Sequence, residues 1–97
     1  MKVTNINGTS DNTCKCGSWL DHWKKIGGYS SITYCTVDKC YGKDLVGAHV
    51  QKDSSTDRSW YIIPLCKTHN AETGKSLIVS DNTALVSANV SETCGKK

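Results

Sequence analysis

Nine side chains in this 97-residue chain can bind a soft metal ion or act as nucleophile or base: six cysteines and three histidines. Four of them fall into two short pairs. Cys35 and Cys40 are separated by four residues, and Cys66 and His69 by two. A single turn can aim both members of such a pair at one point. A zinc ion takes four nitrogen or sulfur donors in a tetrahedron, and a structural site closes all four positions with protein. Cys35, Cys40, Cys66 and His69 are therefore the candidate ligands of a structural Zn²⁺. The competing chemistry is a set of disulfides in a small exported scaffold. Export calls for a leader, and the chain opens MKVTNINGTSDNTC, without an apolar core segment and without any run long enough to span a membrane. The expectation is a cytoplasmic, membrane-free protein in which metal takes precedence over disulfides. Asn7-Gly8-Thr9 and Asn89-Val90-Ser91 match the glycosylation sequon, a pattern that recurs by chance in chains rich in Ser, Thr and Asn.

Cys14, Cys16 and Cys94 remain. Cys14 and Cys16 flank a single residue, a spacing that does not meet disulfide geometry. Together with Cys94 and His22 they are the candidate ligands of a second zinc site, or they pair in part as a disulfide. A second site would tie the N-terminal helix and C-terminal tail to the rest.

Composition explains why a staple is needed. Hydrophobic residues make up 37% of the chain, there is no Phe, and one domain of this length buries a limited core. Ordering costs roughly 1–2 kcal/mol per residue in backbone entropy alone. The net charge of +3 comes from eleven Lys and one Arg against nine acidic residues. That balance permits contact with phosphate without demanding it.

The elements that must position the candidate ligands follow from pattern. Residues 1–13 are polar and read as an extended or frayed lead-in. Ser18 to Ile26 reads as a helix: Ser18 caps it, Trp19, Leu20, Trp23 and Ile26 form an apolar stripe, and Gly27-Gly28 stops it. The two Trp are core anchors on this reading. His22, at the edge of the stripe, is either a packing residue or a ligand. Cys35 to Cys40 is a tight turn carrying two thiols. Residues 45–50 and 60–65 read as the strands of a hairpin, with Pro64 marking either the strand's end or a sheet edge. Cys66 to Asn70 opens a short helix that Gly74 ends. A final hairpin is expected across residues 77–79 and 84–86, turned by Asp81-Asn82, and residues 87–97 form a polar tail. The fold class is α+β: one domain over 1–97, a small treble-clef-like, zinc-bound β-hairpin plus short helix (core about 34–75), with an additional N-terminal helix and C-terminal hairpin.

The run Cys35-x₄-Cys40, Val46-Gly47-Ala48-His49-Val50 and Ile63-Pro64-Leu65-Cys66-x₂-His69-Asn70 resembles HNH-type modules of the ββα-metal class. The resemblance covers residues 34–75. It implies a metal-dependent endonuclease that cleaves phosphodiesters of DNA or RNA. His49 matches the general base that activates water, and Asn70 matches a ligand of the catalytic Mg²⁺ or Mn²⁺. Ala48 stands where the family carries an Asp or His ligand. Alanine binds no metal, so a carboxylate such as Asp44, Asp53 or Asp57 would have to replace it. Read from the residues alone, His49 is also a structural strand histidine or a zinc ligand in another arrangement. Three functions stay open: an HNH-like nuclease or a degenerate relative, a catalytically inactive zinc module that binds nucleic acid or protein, and a disulfide-stabilised secreted domain.

Overall fold

Lys2–Asn5 forms a strand, β1, in the computed structural model, which describes residues 1–6, 18–27, 34–53, 56–72 and 74–88. It is followed by helix α1 (Trp19–Gly27), strands β2 (Leu45–Lys52) and β3 (Tyr61–Cys66), helix α2 (Lys67–Asn70), and strands β4 (Ser76–Ile78) and β5 (Val86–Ser87). The strands make one five-stranded sheet in the order β4-β1-β2-β3-β5, with every neighbouring pair antiparallel. The architecture is α+β.

Register divides the sheet into two faces, because directly opposed residues share a side and successive residues alternate. Val46 opposes Leu65, Ala48 opposes Ile63 and Val50 opposes Tyr61. This face carries the larger core cluster, in which Val3, Ala48, Val50, Ile63, Leu65, Leu77 and Val79 pack with the thiols of Cys35 and Cys66. Gly47 opposes Pro64 and His49 opposes Ile62 on the other face. There Ile62 and Val86 pack against Trp23 of α1. One sheet thus separates two small cores.

α1 forms where the sequence places it. The Ser18 hydroxyl accepts the amide N–H of Asp21 at 3.1 Å, satisfying a donor that the first helical turn leaves without a partner. The buried residues of α1 are His22 and Trp23, whereas Ile26 is exposed. The helix is therefore rotated from the expected stripe, and His22 lies wholly inside rather than at the edge. Gly47 makes the close approach possible: a Cβ there would lie 2.3 Å from the Trp19 carbonyl carbon and 2.4 Å from the Leu20 nitrogen. Trp23 keeps its indole satisfied by donating Nε1–H to the Ala84 carbonyl at 3.0 Å.

Three expectations are corrected. The polar lead-in contains an inner strand: β1 pairs with β2 on one side and β4 on the other. Residues 77–79 and 84–86 do not form a hairpin, since β4 and β5 lie at opposite edges of the sheet. The turn at Asp81-Asn82 exists, with the Thr83 N–H donating to the Ser80 carbonyl at 3.0 Å, but it redirects the chain rather than returning it alongside β4. Finally, of the two readings of Pro64 the strand end is excluded, since β3 continues to Cys66, while the edge reading holds locally. Pro64 is tolerated because β5 pairs only with Tyr61 and Ile62. Beyond that point the flank of β3 is taken by Thr36, whose amide N–H and hydroxyl both donate to the Pro64 carbonyl, at 3.3 and 2.7 Å. No N–H is required of Pro64 there.

Candidate metal centre

Residues 35–42 form a knuckle on the sheet face opposite α1. The Cys40 N–H donates to the Val37 carbonyl at 3.0 Å and the Cys35 N–H to the Gly42 carbonyl at 2.9 Å. Between them Lys39 takes a left-handed conformation (φ 61°), uncommon for a side-chain-bearing residue, and this turns Cys40 back beside Cys35. The knuckle is fixed to the sheet through Thr36 on Pro64 and through a bridge between Val37 and Val79. Gly42 lets it approach closely, because a Cβ there would sit 2.8 Å from Cys66 Cβ.

The second pair comes from the end of β3 and the turn of α2. Cys66 is the last residue of the strand and His69 follows within the helix. All four donors, the Sγ atoms of Cys35, Cys40 and Cys66 and a ring nitrogen of His69, lie within 4.8 Å of one another. His69 Nδ1 is 3.2 Å from Cys66 Sγ and 3.6 Å from Cys35 Sγ, and Cys40 Sγ is 3.9 Å from Cys66 Sγ. A tetrahedral zinc with Zn–S of about 2.3 Å and Zn–N of about 2.0 Å requires S···S edges near ~3.8 Å and S···N edges near ~3.5 Å. The three shortest donor separations come within a few tenths of an ångström of that demand, and the rest lie inside 4.8 Å. This cluster could hold a metal ion, and the four residues are those the sequence spacing singled out.

The surroundings favour thiolates once a cation is present. Burial pushes the Cys35 thiol up to about 11, while backbone N–H groups of Cys66 and Val37 directed at its sulfur pull the other way. Cys40 is held below the usual thiol range chiefly by the Gly42 N–H. Amides aimed at sulfur stabilise negative charge that burial alone opposes, and a bound cation would displace the protons. Among the described residues, Cys35, Cys40 and Cys66 are free thiols.

A positioning residue lies where the sequence showed only a polar leader. Asn5 is 1% exposed, and its side-chain amide donates to the carbonyls of His69 and Asn70 at 3.1 and 2.8 Å. It thereby holds the short α2 that carries His69. Its backbone is tied as well, its carbonyl accepting the Gly74 N–H at 2.7 Å. No periodicity marks such a residue; an Asn between Thr4 and Ile6 is all the sequence offers.

The remaining candidates are dispersed. His49 is 5% exposed and lies on the α1 face, its ring edge-to-face with Trp19 at 4.6 Å and with Trp60 at 6.2 Å. Burial, with a smaller contribution from His22, lowers its pKa to about 4, so it is neutral at physiological pH. Asn70 sits on α2, which Asn5 clasps from the other face of the sheet, and is exposed. The structure does not bring His49 and Asn70 together. Ala48 is buried in the aliphatic cluster. Asp53 accepts the Thr4 hydroxyl, and Asp57 accepts the Tyr61 hydroxyl and pairs with Lys52. Asp44 is exposed beside the start of α2. Among the described residues, neither His49 nor any carboxylate belongs to a donor group close enough to share a metal. His22 is fully buried, with Nε2 2.8 Å from the Ser87 carbonyl and its ring against Trp19. Its expected partners Cys14, Cys16 and Cys94 lie outside the described residues.

No family model, curated protein or solved structure matches this chain. Among the described residues, no helix is long and apolar enough to cross a membrane.

Proposed function

We propose that this protein is a zinc-stapled module of the treble-clef plan that binds a partner and does not cleave phosphodiesters. The observation that carries the reading is the convergence of three thiols and one imidazole, from a knuckle and from a strand–helix junction, within 4.8 Å. Soft sulfur donors with one imidazole suit Zn²⁺ over Mg²⁺ or Mn²⁺, which prefer oxygen. A closed set of four leaves no open position for substrate, so the metal's role is structural. A reducing, cytoplasmic setting suits thiols kept for metal.

Two features argue against the nuclease chemistry that the HNH resemblance implies. The position of its usual metal ligand is Ala48, inside the aliphatic core. His49, its general base, lies under Trp19 on the α1 face of the sheet, whereas Asn70 is clasped by Asn5, whose register partner Val50 belongs to the core on the other face. A base must reach the proton it abstracts, directly or through one water.

Elemental analysis and native mass spectrometry of protein purified without chelator test the reading. One zinc per chain is expected from the described cluster, and a second would assign Cys14, Cys16, Cys94 and His22. Excess EDTA should unfold the protein, since zinc in such sites contributes roughly 10–16 kcal/mol of apparent folding energy. Metal-free protein that stays folded overturns the proposal. Plasmid nicking with Mg²⁺ or Mn²⁺ that is lost on His49→Ala would restore the endonuclease reading in its place.

A further inference from the structure

The knuckle displays two aromatic rings that the core does not use. Tyr34 directly precedes Cys35 and Tyr41 directly follows Cys40, and they are 44% and 75% exposed. Their rings stand nearly perpendicular, at 89°, with centroids 5.8 Å apart. In a chain with seven aromatics in all, leaving two adjacent ones in solvent forgoes burial that a thin core would use. The backbone that carries both is fixed by the bonds that form the knuckle, including the Cys35 N–H to the Gly42 carbonyl at 2.9 Å.

The charges around the rings are mostly cationic, and the cations lie outside any ion pair among the described residues. Lys43 Nζ lies 5.7 Å from the Tyr34 ring centroid. Lys39, at the tip of the knuckle, and Lys67, whose N–H donates to the Asp44 carbonyl at 2.9 Å, are exposed nearby. None of the three makes an ion pair among the described residues. Asp38 and Asp44 are the exposed acidic residues of the same stretch, leaving the local balance one unit positive within a chain of net charge +3.

We infer that Tyr34 and Tyr41, flanked by Lys39, Lys43 and Lys67, form a stacking platform for single-stranded nucleic acid. Single strands offer what this surface complements: flat bases open to a ring face, and phosphates at lysine reach. Lysine, a point charge, positions a backbone without reading sequence, so binding is tolerant of base identity. A duplex hides its base faces and matches the charges alone. An acidic peptide matches the lysines and leaves the rings idle. This inference rests on the zinc reading, because the metal holds the two rings at either end of one knuckle.

The test is fluorescence anisotropy with labelled oligo-dT and oligo-rU at low salt, on samples whose zinc content is measured in parallel. Both strands are expected to bind, and to bind more tightly than duplex DNA or poly-glutamate. The double variant Tyr34→Ala/Tyr41→Ala should keep its zinc and its circular dichroism while losing about tenfold or more in affinity. The double variant Lys39→Gln/Lys43→Gln should flatten the slope of log affinity against log salt by roughly 0.7 per lysine removed. Preference for only one of the two strands assigns the source as DNA or RNA and keeps the platform. Zinc-loaded wild-type protein that binds neither strand overturns the platform and leaves the metal reading standing. Undiminished binding by the zinc-loaded tyrosine variant, or tighter binding to duplex or poly-glutamate, also overturns it. Protein that carries no zinc overturns both.

Discussion

Replacing Asn5 by alanine isolates the residue that connects the inner strand to the candidate metal centre. The side chain is 1% exposed and donates to two carbonyls, those of His69 and Asn70. A typical hydrogen bond contributes about 0.5–1.5 kcal/mol net, and a half-buried carbonyl left without a donor adds to the loss. The sum for Asn5→Ala is about 2–3 kcal/mol. α2 is only four residues long and cannot hold helical geometry by itself, so the loss falls on the placement of His69. Where metal binding and folding are one equilibrium, destabilising the folded form weakens the metal by the same amount. Zinc affinity should fall by roughly thirty- to a hundred-and-fiftyfold, since every ~1.4 kcal/mol is a factor of ten. Competition against a chromophoric zinc chelator measures this, with urea unfolding of the zinc-loaded protein as the parallel readout. Asn5→Asp should be worse than alanine, because it sets a carboxylate against two carbonyl oxygens. If Asn5→Ala binds zinc within a factor of two or three of wild type, or if Asn5→Asp is harmless, the clasp does not position His69.

Two further predictions follow from the α1 face. Gly47→Ala puts a methyl 2.3 Å from the Trp19 carbonyl carbon, against backbone that cannot rotate away, so α1 must lift; a loss of about 3 kcal/mol or more is expected from overpacking against a fixed wall, read as a lower urea midpoint with a shift in tryptophan emission. His49, held neutral with a pKa of about 4 against an ordinary 6.5, binds fewer protons folded than unfolded; stability therefore stands in full above pH 6.5 and falls as pH drops toward 4, by about 3 kcal/mol in all and about 2 by pH 5. The His49→Leu variant should lose that part of the acid sensitivity while sharing whatever the metal ligands contribute, and identical slopes for the two proteins would sink the argument.

The metal donors were legible in the sequence because coordination is local arithmetic. Two soft side chains a turn apart must point to one place wherever the turn sits, and residues 45–50 and 60–65 carry enough β-branched and apolar character to announce the hairpin between the pairs. α1 was legible for its cap and its extent, but not for the face it buries, since His22 is inside and Ile26 is exposed. The parts that were not legible are those in which tertiary pairing outweighs local signal. β1, β4 and β5 span four, three and two residues, too short for alternation to register. Leu77 and Val86 read as partners across a turn because they are close in sequence. Leu77 instead packs with Val3 in one core and Val86 with Trp23 in the other, and edge strands of a five-stranded sheet stand about 19 Å apart at ~4.8 Å per neighbour. His49 looked chemically available on a strand whose Gly-Ala-His-Val context is suggestive. Its partner Trp19 lies on an element that no local pattern ties to it, and only the docking of α1 on Gly47 shows that the imidazole is enclosed.

The placement of β1 between β2 and β4 also bears on how the chain reaches this form. β1 is made before either neighbour, and it pairs with residues 50–52 and 76–78. While the chain is being synthesised it must wait with both edges open until those distant segments leave the ribosome. Pairings so far apart in sequence carry a large loop-closure cost and slow the search. The knuckle and hairpin, whose contacts are nearer in sequence, can assemble first. On sequence separation alone the pairings of β1 are the costliest to close, and Asn5 reaches the carbonyls of His69 and Asn70 only when they are made.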